Sequence, residues 1–237
     1  MARRSLINNL VMDLNKRKVA AVWSKDTRLL DRLSRDPEQE VRKGVARNPH
    51  TPADILNRLS KDPSHDIRWW VAEYPRTIAS QEALARLGRD SSRKIRLAVA
   101  GNHYSPRGIM DRLSRSPDSV IRREVAGNPS TPLDILDRLI SDKQGHVRGA
   151  VARNPSASLN ILNRLSKDPE IGVIKDLAEN PSASLNILNR LKQDRAISDW
   201  YFRRNPKWQE RKKLEKMGLL DAAMYAEKWL LNRGLDK

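Results

Sequence analysis

The chain has 237 residues, and its 46 Lys and Arg against 29 Asp and Glu give a formal net charge of +17. Such a charge predicts a partner of opposite sign. The absence of cysteine excludes disulfides, thiolate metal sites and cysteine catalysis. No apolar run reaches the roughly 18 residues of a membrane span, and the start, MARRSLINNLVMDLNKRK, lacks the apolar run of a signal peptide. A soluble, cytoplasmic protein without a membrane segment is expected.

A unit of about 26 residues recurs along the chain. A first, degenerate copy places Val19 and Ala20 in register with Val45 and Ala46, and later copies follow in steps of 26, 28, 26, 26 and 26 residues. One insertion near Ile78 accounts for the step of 28. A last, shortened copy contains the sequence FRRNP at 202–206. The predicted domains are therefore a cap helix at 1–17, a repeat array at 18–206, and a C-terminal cap at 207–237 with two helices split at Gly218.

Each unit carries start and stop signals for two short helices. Asp36, followed by proline, predicts the N-cap of the first helix. Asn48, also followed by proline, predicts its end, with the asparagine in the left-handed conformation. Thr51 and its proline predict the start of a second helix with a leucine-rich stripe. Helices this short leave open whether some are 3₁₀, and no alternating strand pattern is present.

The run VRKGVARNPHTPADILNRLSKDP resembles the leucine-rich repeat variant (LRV) family. The runs REVAGNPSTPLDILDRLISD and GAVARNPSASLNILNRLSKDP match it equally well, and the similarity covers roughly 18–206. It implies an all-α, right-handed solenoid of about seven two-helix repeats, some helices of which can be 3₁₀, between helical end caps. The family's cysteine-rich iron–sulfur module has no counterpart here, and the resemblance implies no catalytic residues.

The unit also looks like a shortened HEAT repeat, in which an Asp and an Arg six positions later bond between repeats. This resemblance implies a structural role for one series of arginines, with ligand contact as the alternative: Arg42, Arg68, Arg96, Arg122 and Arg148. A second series precedes the last leucine of each leucine helix. It is predicted to form i, i+4 ion pairs on a solvated convex face: Arg32, Arg58, Arg86, Arg112, Arg138, Arg164 and Arg190.

The same analogy places the residues beside the first series on the concave side. One basic side chain per repeat would space positive charges on the scale of a few phosphates, and Trp69 could stack a base, although core packing also explains adjacent tryptophans. The candidate nucleic-acid-binding residues are Lys43, Arg47, Arg68, Trp69, Arg93, Lys94, Arg122, Arg123, Arg153, Lys175, Arg203 and Arg204.

Catalysis has little support in the sequence. The four histidines are scattered without metal-ligand spacing, and no glycine-rich phosphate loop is present, so neither a metal nor another cofactor is expected. The sequence predicts a non-enzymatic protein that binds the phosphate backbone of RNA or DNA, single-stranded or duplex. The alternative is a protein-interaction scaffold for an acidic partner, or a subunit of a larger complex.

Overall fold

The computed structural model describes residues 13–73, 81–194 and 198–216. Within these ranges the chain forms sixteen α-helices, without a β-strand or a 3₁₀ helix, so the prediction of an all-α protein is confirmed. The helices are α1 Leu14–Trp23, α2 Thr27–Leu33, α3 Gln39–Arg47, α4 Ala53–Leu59, α5 His65–Glu73, α6 Gln81–Leu87, α7 Arg93–Gly101, α8 Arg107–Leu113, α9 Ser119–Gly127, α10 Leu133–Leu139, α11 Gly145–Arg153, α12 Leu159–Leu165, α13 Ile171–Ala178, α14 Leu185–Asp194, α15 Asp199–Phe202 and α16 Pro206–Lys216.

The helices up to α14 alternate between two kinds. The odd-numbered ones from α1 to α13 are called valine helices here, and the even-numbered ones from α2 to α14 are called leucine helices. Both kinds bury an apolar stripe, as shown by Val45, Leu56 and Ile55, which are at most 1% exposed. Burial of these stripes against neighbouring helices stabilises helices that would be too short to form alone.

The chain divides into an N-terminal unit, Met1–Pro132, and a C-terminal unit, Leu133–Lys237. In the N-terminal unit the valine helices pack in sequence, α1 on α3, α3 on α5, α5 on α7 and α7 on α9. In the C-terminal unit α11 packs on α13, and the rings of Phe202 and Trp208 stack with centroids 4.4 Å apart. Both rings are buried and cover the last repeat. The insertion near Ile78 and the predicted helix break at Gly218 lie outside the described residues.

The Asp-Pro and Thr-Pro pairs do not begin the helices as predicted. The first helix of the repeat starts at Gln39, and Asp36 accepts a hydrogen bond from Glu38 N at 2.9 Å, in the turn before it. The Thr51 hydroxyl donates to Val45 O at 2.6 Å instead of capping α4. Both side chains therefore fix the connections between helices rather than the helix ends.

The first valine helix departs from the predicted register. Val19 is 62% exposed, whereas Ala21 is fully buried, so Val19 does not take the core position of Val45. The reason lies in Arg17, whose Nε is 2.9 Å from Asp36 Oδ2. This contact is the one that Arg42 makes in the next repeat, 25 residues later, so the first valine helix is displaced by one residue from the predicted register.

Candidate nucleic-acid interface

Buried asparagines, most of them in Asn-Pro pairs, bond to the preceding repeat. Asn128 Nδ2 donates to Ala100 O at 2.8 Å and to Asn102 O at 3.0 Å, and its Oδ1 accepts from Ser130 N at 2.9 Å. Equivalent bonds in the same unit or in the C-terminal one are made by Asn48, Asn102, Asn180 and Asn205, all buried. These side chains form an asparagine ladder that the sequence reasoning missed.

The asparagines are not left-handed, which corrects the prediction. Asn128 has φ −72° and ψ 121°, and Asn48 has φ −76° and ψ 124°. At these two residues the following proline disfavours the helical region, but Asn102, which is followed by His103, has the same conformation, with φ −74° and ψ 124°. The extended backbone ends the helix and leaves the side chain free to reach the previous repeat.

The arginines of the valine helices form a second ladder. Arg68 Nε donates to Asp90 Oδ2 at 2.7 Å, in the next repeat, while Nη1 donates to Asp62 O at 2.8 Å, in its own repeat. Arg42 and Arg148 bind in the same way, to Asp62 and Asp168 respectively. These bonds have the structural role implied by the HEAT resemblance.

The carboxylate in this ladder comes from the following repeat. Position 116 is a serine where the other repeats have an aspartate, so Arg96 lacks this carboxylate partner. Arg96 Nη1 donates to Asp90 O and Ser91 O, at 2.7 and 2.8 Å. In place of the missing pair, Arg93 binds Asp118 through Nε and, at 3.2 Å, through Nη2. That hydrogen bond lowers the pKa of Asp118 to about 2.

Burial and pairing compete at the other valine-helix carboxylates. Burial opposes ionisation of Asp90, yet the hydrogen bonds from Arg68 and from Ser92 N outweigh it and lower the pKa. Burial raises the pKa of Asp176, although Arg153 Nη2 lies 2.6 Å from its Oδ1. Burial and the nearby Glu124 charge raise the pKa of Glu73. Part-buried carboxylates thus lie beside arginines on the valine side.

The leucine-helix arginines also bond between repeats, which corrects the prediction of pairs within one helix. Arg58 Nη2 donates to Asp31 Oδ1 at 2.7 Å and to Ser34 Oγ at 2.5 Å, both in the preceding leucine helix or its end. Arg86 uses Asn57 and Ser60 in the same positions, and Arg190 uses Asn163 and Ser166. We call the two acceptors of the preceding repeat the arginine bracket.

The bracket is missing for Arg112. The corresponding acceptor positions are occupied by Ala85 and Gly88. A Cβ at Gly88 would lie 2.4 Å from Ile109 Cγ2, so close packing excludes a serine there without a shift. Arg112 is exposed, and its side chain makes no hydrogen bond or ion pair within the part of the chain that the structure describes.

Positive charge is concentrated on the leucine helices of the N-terminal unit. Their segments with the following turns, 27–35, 53–61, 81–89 and 107–115, contain ten Arg and Lys against four Asp and Glu. The valine-helix segments 36–47, 62–73, 90–101 and 116–127 contain nine of each sign, and the segment 13–26, which includes α1, contains four Arg and Lys against two Asp. The excess charge of these repeats therefore lies on the leucine side, opposite to the predicted assignment of the basic surface to the valine helices.

Most of the predicted binding residues have partners within the fold. Lys43 lies 3.3 Å from Glu40, Arg153 pairs with Asp176, and Arg204 lies 3.8 Å from Glu179. Arg68 and Arg93 pair with aspartates, as described above, and the buried Arg122 donates to Ser116 O at 2.7 Å. Arg123 is exposed and unpaired among the described residues.

The remaining candidates stack on aromatic rings. Lys94 Nζ lies 3.9 Å from the centroid of Trp69, and Arg47 lies 4.5 Å from that of Trp70. The two tryptophan rings meet edge to face at 4.7 Å. In the C-terminal unit Lys175 lies over Tyr201 and Arg203 over Trp200. Trp69, Lys94, Arg123 and two carboxylates line a cleft of about 550 Å³.

A second cleft, of about 800 Å³, opens on the leucine side of the N-terminal unit. Its lining includes Lys61, Arg86 and Arg89 together with Glu82. Over the described ranges, no three metal-ligating side chains cluster and no helix is long and apolar enough to cross a membrane. The described surface thus offers basic and aromatic groups as its functional features.

Comparison with known proteins agrees with the repeat geometry. The family model described as leucine rich repeat variant matches residues 40–64, which contain the Asn48 rung of the ladder. A solved structure described as a leucine-rich repeat variant with a novel repetitive protein structural motif is 25% identical, with a TM-score of 0.52 over 75% of this chain and 69% of that chain. No curated protein sequence matches significantly. The chain is a helical repeat protein of the leucine-rich repeat variant type.

Proposed function

We propose that the protein is a non-enzymatic nucleic-acid-binding protein that contacts the phosphate backbone of RNA or DNA. The observation that carries this proposal is the excess of positive charge on the leucine-helix segments of the N-terminal unit, ten cations against four carboxylates. Stacked repeats present such charges at regular intervals. A row of cations suffices for sequence-independent attraction to phosphates.

The C-terminal unit supplies a further basic region. Residues 198–216 contain seven Arg and Lys against three Asp and Glu, and they include the predicted binding residues Arg203 and Arg204. Arg203 stacks on Trp200, which is itself 53% exposed. Exposed aromatic rings beside cations favour contact with unpaired bases as well as phosphates.

A protein partner is the second candidate, and the Trp69 and Trp70 cluster favours it. These rings lie on the valine helices, where the charges of the two signs balance. Tryptophan and arginine are enriched among the residues that dominate protein interfaces. Under this alternative the valine helices would carry the contact, and an acidic protein would occupy it.

Binding of a random-sequence 20-nucleotide DNA, a matching RNA and a 20-base-pair duplex across KCl concentrations tests the proposal. Contacts to about four phosphates predict a slope of log K against log salt near −4 on duplex DNA, and a shallower one on single strands. Fluorescence anisotropy gives the slope directly. Absence of binding to all three probes at 50 mM KCl would remove nucleic acid as the ligand.

A further inference from the structure

Four cations form an unneutralised strip on the leucine side of the N-terminal unit, here called the cationic edge: Lys61, Arg86, Arg89 and Arg112. Building on the proposed function, we infer that a nucleic-acid backbone binds along this edge. We infer further that the edge exists because two consecutive brackets, at Asn57 and Ala85, lack the carboxylate found on either side of them.

The flanking repeats show what the bracket carboxylate does. Asp31 Oδ1 lies 2.7 Å from Arg58 Nη2 and 3.2 Å from Arg35 Nη2, so one carboxylate holds two guanidinium groups. The hydrogen bond from Arg58, together with the charges of Arg58 and Arg35, lowers the pKa of Asp31 even though burial opposes it. At the other flank, Arg115 lies 3.1 Å from Asp111.

The two middle brackets leave their cations without that neutralisation. Arg86 donates to the neutral Asn57 at 3.1 Å, and Lys61, the counterpart of Arg35, makes no ion pair among the described residues. In the next repeat, Ala85 has no side-chain acceptor for Arg89 or Arg112. Positive charge therefore accumulates over two successive repeats.

The carboxylates near the edge are mostly engaged elsewhere. Asp62 and Asp90 line the same 800 Å³ cleft, but they bind the ladder arginines Arg42 and Arg68. Glu82 is different, since it accepts only a long hydrogen bond, 3.5 Å, from Asn57 Nδ2. Glu82 is consequently the group that weakens anion binding at this edge.

The spacing and chemistry of the edge fit phosphates rather than a protein. Helix layers advance about 8 to 10 Å, which corresponds to about three phosphates along one strand of a duplex. The large exposed hydrophobic side chains of the unit's described part, Val19, Trp23 and Tyr104, do not line the edge cleft. Without an apolar anchor, the edge lacks the central feature of most protein interfaces.

The test adds the missing carboxylates and removes no cation. N57D and A85D together recreate the bracket of Asp31, so each added carboxylate meets an arginine. We expect affinity for a 20-base-pair duplex at 50 mM KCl to fall about tenfold and the salt slope to shrink by about 1. The thermal midpoint of A85D should not fall, whereas N57D also exchanges the long hydrogen bond to Glu82 for a contact between like charges. A85D alone breaks no existing hydrogen bond and should show part of the same effect.

The charge-matched control is Q39E/H65E, which adds two carboxylates at the exposed first residues of α3 and α5, on the valine side of the same unit. It should change the affinity less than about twofold. E82Q should act in the opposite direction and tighten binding. Polyglutamate serves as the acidic-polypeptide probe, and it should bind more weakly than the duplex at equal salt.

The outcomes distinguish binding along the cationic edge from nucleic-acid binding in general. Steep salt-dependent binding by the parent, with N57D/A85D indistinguishable from Q39E/H65E, would overturn the cationic edge and leave the proposed function standing. Failure of the parent to bind any oligonucleotide would overturn both. Binding of polyglutamate alone would also overturn both and assign the edge to an acidic protein.

Discussion

The valine helices and the leucine helices of the N-terminal unit each place one arginine per repeat in a regular series, yet the two series end in different environments. Arg68 lies between a carboxylate and two carbonyl groups, and its side chain is 17% exposed. Arg112 has no bracket and is exposed. Whether an arginine is paired depends on the acceptors in the neighbouring repeat. A regularly recurring arginine can therefore be neutralised within the fold or free to bind an anion.

The largest expected effect concerns the asparagine ladder on the valine side. N128A removes three hydrogen bonds and leaves buried carbonyl and amide groups unpaired, so the free energy of unfolding should fall by about 3 kcal/mol. Urea denaturation measures the change. Asn57 is the matched residue on the leucine side, and N57A should cost less than about 1 kcal/mol because Arg86 keeps its bond to Ser60. Equal losses for the two variants would contradict the contrast between the sides.

A smaller effect separates the two kinds of arginine pair. The coupling energy between Arg68 and Asp90, from a double-mutant cycle with alanine, should be about 2 kcal/mol, since both side chains are largely buried. The pair of Arg58 and Asp31, whose side chains are 34% and 38% exposed, should give about 0.5 kcal/mol. A coupling at the second pair as large as at the first would remove the distinction between a structural ladder and an accessible row.

The sequence predicted the helical repeat because its signals are local. The recurrence of V-A-x-N-P and of the leucine stripe specifies two short helices per unit, and the structure confirms them. The resemblance to HEAT repeats, carried by the spacing of Asp36 and Arg42, also implied bonding between repeats. What the spacing could not supply was the direction, since Arg42 takes a carbonyl from its own repeat and a carboxylate from the next.

The charge distribution was harder to predict, because it depends on which side chains meet across repeats. Arg58 has an acid four residues away in its own helix, and this local pair seemed sufficient, but its guanidinium reaches Asp31 in the preceding one. Asp31, Asn57 and Ala85 are equivalent residues of successive repeats. Their difference in charge predicts which arginines are unpaired only once the structure shows that they face Arg58, Arg86 and Arg112. The signal was present as a periodic position whose charge varies, but it lay 27 to 29 residues from the arginine it controls.

The salt dependence of duplex binding by two triple variants tests the central claim most directly. K61Q/R89Q/R112Q removes three cations from the leucine side, and K43Q/R47Q/R123Q removes three from the valine side, so the change in net charge is the same. We expect the first variant to lose about 2 to 3 units of salt slope and the second less than about 1. Equal losses, or a larger loss for the valine-side variant, would contradict the account.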